Sequence, residues 1–587
     1  MRKIKSAALV ALLAMCGVAR ADVLEKLPAG SLVAGRVANL SATSKKIAKL
    51  AKDLGIDAFV APLQDPLGNF KTQTHFEKGI NDNGEVGFAM IDGKAQSLPE
   101  DQSFVVLIPV TSYAEFLGNF AEPKTEGGVS EVTSPDGGGQ TLFVADWGDG
   151  FAAVSPGKVM VTKPGTTLKV ADAAKKESAR QDFLVVTNFK ELGPKLLPEI
   201  DKGQEEANKD LDRSPAGKLD AKYKPLAKTA IAQFFAAAKT FVSNADVATF
   251  GLNITDAGIN STVLASYTPD SYLAKVAAGM KGTDKPLTVG LPAMKYLVYG
   301  GATIDSANFA QVFDDFSKPI IAELEKIEGV DDAKKLTAHS TAALKQLKSM
   351  TFGMPVATQP GKEALIQQVA IYNGGAADWK AVFNEGGDFA KKMIASMDLP
   401  PDRPKPVLEQ TLNAENIEGV SFDKIKLEAK PNPDAPGAEQ AEQMQAIMYG
   451  PDGLNYLYGV SGESFIVANG TPSETLAAFV KSNKAGEDNL SKLDQLKVVV
   501  AELPKSRSLE YYVALDEFVN LGVSTAAQFG FPVQVQLPPD LPPLGITFGG
   551  EGQTMRLDTH LPTSTVQSLI AAGMQAFMGM RGGGGNL

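Results

Sequence analysis

Apolar residues in this chain fall into short runs that read as strands, and each run leads into a stretch where they recur at helical spacing. The first run is Leu32-Val33-Ala34-Gly35-Arg36-Val37-Ala38-Asn39, followed by a helical pattern over 41–54 with Asn39 or Ser41 as its cap. Residues 296–304 and 305–316 repeat that step, with Asp305 or Ser306 in the capping place. Later elements recur in the same order. Gly87-Phe88-Ala89-Met90 matches Thr351-Phe352-Gly353-Met354, and the strand and helix at 104–110 and 112–117 match those at 365–372 and 376–383. Residues 154–161 align with 460–467 at one offset (460 − 154 = 306), and both are predicted to be hairpins. Strands at 183–188 and 509–516 follow. Each half then closes on a hairpin, turning at Asp256-Ala257-Gly258 or Glu551-Gly552-Gln553, and on an amphipathic helix at 269–280 or 562–578.

This order predicts an internal duplication: two related α+β domains, 22–283 and 284–587, each a mainly antiparallel sheet with helices packed on one face. The second domain is expected to carry an irregular, Pro-rich insertion near 385–445, marked by the prolines of 400–406 and by Pro431 and Pro433, and to end in a mobile Gly-rich tail, 581–587. It has no counterpart to 193–244, where Ala227, Ile231, Phe234, Phe235, Ala238, Phe241 and Val242 are expected to bury one helical face. In the last helix the stripe Val566, Leu569, Ile570, Gly573 and Phe577 is expected to pack on the sheet.

Ahead of the first strand the pattern changes. Arg2, Lys3 and Lys5 precede a 13-residue apolar run, 6–18, which ends in Ala19-Arg20-Ala21. That sequence of features reads as a secretory signal peptide, residues 1–21, cleaved after Ala21. The run is shorter than the roughly 20 residues a membrane-spanning helix needs. Export to the periplasm or the extracellular space is expected, as a soluble chain with no transmembrane segment. Cys16, the only cysteine, lies inside the leader at Leu13-Ala14-Met15-Cys16, which resembles a lipoprotein box with Met in the small-residue place. Cleavage after Ala21 leaves a thiol-free chain, without disulfide or thiolate chemistry.

Composition adds one exclusion. The whole chain carries 57 basic and 68 acidic residues; removing Arg2, Lys3, Lys5 and Arg20 leaves 53 − 68 = −15. Nucleic acid and anionic lipid surfaces are poor partners for so acidic a protein.

Candidate chemistry is sparse. His75, His339 and His560 sit in three separate segments without zinc-ligand spacing, and are expected in surface or boundary roles. Gly459-Val460-Ser461-Gly462-Glu463 is the nearest approach to a nucleophile elbow, but Ser461 aligns with Ser155 and reads as turn chemistry. The 30–37 segment has phosphate-loop glycines without the Lys and Ser/Thr that such a loop requires. Asp146-Trp147-Gly148-Asp149-Gly150 and Asn81-Asp82-Asn83-Gly84-Glu85 could offer carboxylates to calcium, yet both have the composition of tight turns. Asp136-Gly137-Gly138-Gly139 reads as loop. Trp147 and Trp379 are expected to seal core edges. No residue is assigned to catalysis, to a cofactor or to a metal.

Leu27-Pro28-Ala29-Gly30 with the strand that follows, and the 105–113 strand and cap, resemble exported bacterial proteins classed as domains of unknown function. The resemblance implies export and an α+β fold, with no activity to carry over. The expected function is that of a non-enzymatic binding or scaffold protein of the cell envelope, its partner an unknown envelope protein or a small ligand held between the two halves. An exported hydrolase built on carboxylates or a metal from separate loops, and a surface-layer or adhesion component, are the alternatives.

Overall fold

The computed structural model describes residues 23–94, 97–135, 139–213, 223–327, 333–359, 362–396, 406–428, 438–450, 453–528, 535 and 537–582. The leader with Cys16, the prolines of 400–405 and 431–433, Asp136 to Gly138 and the tail beyond Gly582 lie outside them. By internal contacts the chain forms two compact units, 1–192 with 247–254, and 193–246 with 255–587. This division groups 193–246 and 255–283 with the second unit, and so does not follow a boundary at 283.

In the first unit the strands are β1 (Ser31–Val37), β2 (Val86–Ile91), β3 (Phe104–Pro109), β4 (Lys124–Glu126), β5 (Val129–Thr133), β6 (Thr141–Gly148), β7 (Phe151–Ser155), β8 (Phe183–Asn188) and β9 (Ala245–Ile254, in this unit from Val247). Hydrogen bonding orders them β4-β5-β6-β7-β3-β2-β1-β8-β9, every pair antiparallel. Both faces of this sheet are covered. Ala153 packs with Val23, Leu24, Leu27 and Met160 on one face, and its neighbours Ala152 and Val154 pack with Phe76, Phe116 and Phe120 on the other.

The second unit holds β10 (Gly258–Tyr267), β11 (Tyr296–Thr303), β12 (Ser349–Pro355), β13 (Gln368–Asn373), β14 (Val407–Ile417), β15 (Val420–Glu428), β16 (Leu454–Ser461), β17 (Ser464–Asn469), β18 (Leu509–Val513), β19 (Leu544–Glu551) and β20 (Thr554–Pro562). Their order is β14-β15-β16-β17-β13-β12-β11-β18-β19-β20-β10, again antiparallel throughout. The first nine places repeat the order of the first unit with every strand number raised by ten. On β17, Phe465 faces Trp379 and Phe383 of the helix Ala376–Ser396, and Ile466 faces Leu476 and Phe479 of the helix Ser473–Ala485.

The α+β class is as expected, but helices on one face only is not. Alternate residues of one strand meet packed side chains on both sides. The uninterrupted apolar runs of β3 and β13 are what a sheet buried on two faces requires.

Three further expectations change. Residues 154–161 form no hairpin: β7 ends at Ser155 and a 3-10 turn, Lys158–Val161, follows. The true partner of the Ser461–Ser464 hairpin is the β6–β7 turn at Asp149-Gly150, an offset of 313 (462 − 149). Among the described residues of 385–445 the chain is not irregular, since they include the β14–β15 hairpin in the place that β4–β5 takes in the first unit. The helix Lys224–Asn244 buries Val242 alone, and Phe234 stands 68% exposed. Ion pairs from Lys239 to Asp201, and from Lys224 and Lys228 to Asp212, tie it to the helix Phe189–Arg213.

Candidate functional site

Most residues that looked chemical are committed to structure. Ser155 is fully buried, donating to the Phe104 carbonyl at 2.6 Å and accepting from Gly157 N–H at 2.9 Å. Asp146 accepts from Gly148 N–H, and Asp149, at φ 53°, pairs with Lys26 at 2.7 Å. Lys26 holds the Asp149 carboxyl below its ordinary range. In the other acidic turn Asp82 pairs with Lys71, and Glu85 with Arg36 at 2.6 Å, the arginine being almost wholly buried in β1. Trp147 is buried, its indole N–H on the Val161 carbonyl at 2.6 Å, and Trp379 stacks on Tyr372 with ring centres 4.8 Å apart.

The histidines divide three ways. His75 is exposed at the left-handed end of a helix. His339 presents Nδ1 to Asp378 at 3.5 Å and Nε2 to Glu385 at 3.4 Å. Those nitrogens lie on opposite edges of the ring, so the two carboxylates cannot converge on one ion through it. His560, expected at a surface or boundary, is fully buried, with Nδ1 2.6 Å from Asn260 Oδ1 across the β10–β20 ladder. Asn260 in turn donates to Glu502 at 3.2 Å. Among the described residues no group of three or more His, Cys, Asp or Glu could hold a metal ion, and no helix is long and apolar enough to cross a membrane.

Two concavities lie along the helix Leu515–Gln528 of the second unit. At its start Asp516 and Glu517 are buried beside Lys295, Tyr296 and Asp540, in a cleft of about 60 Å³. Burial pushes the Asp516 carboxyl up, against backbone hydrogen bonds, that of Glu517 foremost, which favour its charged form. Glu517 is held by Lys295 at 2.6 Å. This cleft has room for a few water molecules.

The second concavity is larger and of another character. A groove of about 350 Å³ runs between this helix and the helix Thr563–Gly582. Its walls are Val519, Gly522 and Val523 on one side and Leu569, Ala572, Gly573 and Ala576 on the other, with Val535 at one end. The spacings i, i+3, i+4 and i, i+3, i+4, i+7 put each set on one helical face. The last helix therefore does not lay its whole stripe on the sheet. Ala572 is buried, Leu569 and Ile570 are half-buried, and Gly573 and Phe577 are exposed.

The two glycines carry the clearest physical signal. Each lies inside a helix with ordinary backbone torsions, and a Cβ placed on either meets nothing within 4 Å. A helix-interior glycine costs about 1 kcal/mol relative to alanine, a cost usually offset by close packing. Here no packing offsets it. Both helices carry charge only at one end, Asp516 and Glu517 in the first and Arg581 in the second: 518–539 (22 residues) holds no Asp, Glu, Lys, Arg or His, and neither does 561–580 (20 residues), in a chain whose residues are 21% charged. Sequence reasoning read the apolar stripe of the last helix but not the gap beside it. The signal it could have used is this loss of charge over two segments.

No family model and no curated protein matches the chain. Among solved structures, crystal form I of TP0453 matches at 11% identity and a TM-score of 0.21, over 41% of this chain and 78% of that one. Crystal form III matches at 11% identity and a TM-score of 0.18, over 49% and 97%. Likeness at that level carries no argument about fold or function.

Proposed function

We propose that this is an exported, non-enzymatic binding or scaffold protein of the bacterial cell envelope, arisen by internal duplication, and that the groove beside Gly522 and Gly573 is where it binds. The groove itself carries the reading: a concavity of about 350 Å³ falls in the range of small-molecule sites and is lined by apolar side chains. The positively charged start, short apolar core and Ala19-Arg20-Ala21 support export. The repeated strand order supports duplication. Ser155, Asp146, Asp149 and Glu85 are each held by a structural partner, which supports binding over chemistry at those positions.

Protein recovered from its native cell tests both parts. Its amino terminus should be Asp22, and native mass spectrometry should find a non-covalent apolar adduct or a stoichiometric partner. An intact Met1 terminus would overturn export, and hydrolytic turnover by a chain free of adducts would overturn binding in favour of the hydrolase.

A further inference from the structure

We infer that the groove between the 515–528 and 563–582 helices binds the hydrocarbon chain of a single lipid molecule, with its head group left in water. This rests on the binding reading above and names the ligand class for that site. Three features carry it. The walls present no hydrogen-bonding side chain, so nothing polar could be satisfied inside the groove. Gly522 and Gly573 keep the floor open where larger residues would fit without a clash. The charge-free stretches on both sides match an uncharged chain, since they offer no counter-ion to a charged ligand.

Phe518 and Phe577, on the same two helices, are 42% and 54% exposed. At 100° per residue each lies about 90° round its helix from the lining stripe.

The test uses the purified protein and cis-parinaric acid, a fluorescent polyunsaturated fatty acid. Saturable binding of one probe per chain is expected, displaced equally well by palmitic acid and by its methyl ester, because the walls hold no charge to distinguish them. Gly522→Leu and Gly573→Leu should each weaken binding at least tenfold while leaving the melting temperature unchanged or higher. Gly573→Ala serves as the control that changes helix propensity with little change in volume. Probe binding unaltered by both leucine variants overturns the groove assignment but leaves the binding reading standing. Sedimentation with phosphatidylcholine vesicles, without uptake of free probe, overturns it in favour of a membrane surface. A wild-type dimer that the leucine variants convert to monomer overturns it in favour of a second copy of the chain.

Discussion

Gly35 and Phe88 sit opposite one another across the β1–β2 ladder, and the phenyl ring folds over the glycine into the space a Cβ would need. The same Cβ would also stand 2.9 Å from the Leu184 carbonyl oxygen, on the strand at the other side. Gly300 and Phe352 occupy the matching positions of the β11–β12 ladder, and there a Cβ would run into the Glu510 carbonyl. Gly35→Ala and Gly300→Ala should each destabilise by about 1–3 kcal/mol, the usual range for overpacking. Urea unfolding checks this; variants as stable as the parent would mean that neither ladder is packed as described.

Arg507 and Glu510 form a buried pair, 4% and 1% exposed, with Nε and Oε2 2.5 Å apart. The other carboxylate oxygen accepts from Leu287 N–H at 2.6 Å. Arg507→Leu strands a desolvated carboxylate and should cost about 3–5 kcal/mol. An exposed pair such as Lys348–Glu463, screened by solvent, should shift the midpoint far less on the same replacement. Comparing the two urea midpoints decides it.

His560 gives stability a pH dependence. Desolvation holds its pKa below the ordinary histidine value, against a smaller opposing pull from Glu502, and Nε2 is buried without a partner. The unfolded chain therefore binds the proton first as pH falls. The contribution of His560 is complete above about pH 6.5 and declines as pH drops from there to the lower folded value. His560→Asn should flatten this part of the profile, measured as urea midpoints from pH 7.5 to pH 5. An unchanged slope would exclude His560 as its source.

Tyr296, Tyr299 and Tyr512 stack in one cluster, ring centres 5.3 and 5.2 Å apart, and all are almost wholly buried. Burial raises all three phenol pKa values far above 10. The shift favours the folded state while the phenols stay protonated, and its contribution falls as pH rises above about 10, where the unfolded phenols ionise. Phenolate absorbance should thus rise in two stages, the second coinciding with loss of the near-ultraviolet circular dichroism. A single stage that leaves the fold intact would place these rings in contact with water.

Legibility from sequence followed the strength of local pattern. The Phe88 and Phe352 strands align as the apolar runs suggested, because a buried strand has to be written in apolar residues. The β14–β15 hairpin was missed because its apolar pattern is short and local: Ile417, Val420 and Phe422 around the turn are buried, but polar residues such as Glu409, Gln410 and Thr411 fill much of the strand before it, between prolines that punctuate irregular chain. Residues 154–161 misled because a strand end followed by a 3-10 turn carries the same turn-forming Pro156-Gly157 as a hairpin. Burial of His560 depended on Asn260, roughly 300 residues away in the chain (560 − 260 = 300), and no local window contains such a pairing.

The β10–β20 ladder sets an order of events in folding. Thr262 opposes Asp558, so closing this pair spans 296 residues (558 − 262), and loop-closure entropy places such a contact among the late ones. β20, the last of the described strands, is the one that caps β10. Until it arrives, β10 is an open edge able to recruit a strand from a neighbouring chain. Loss of β20 through proteolysis or premature termination would therefore leave a polypeptide prone to aggregation as well as less stable.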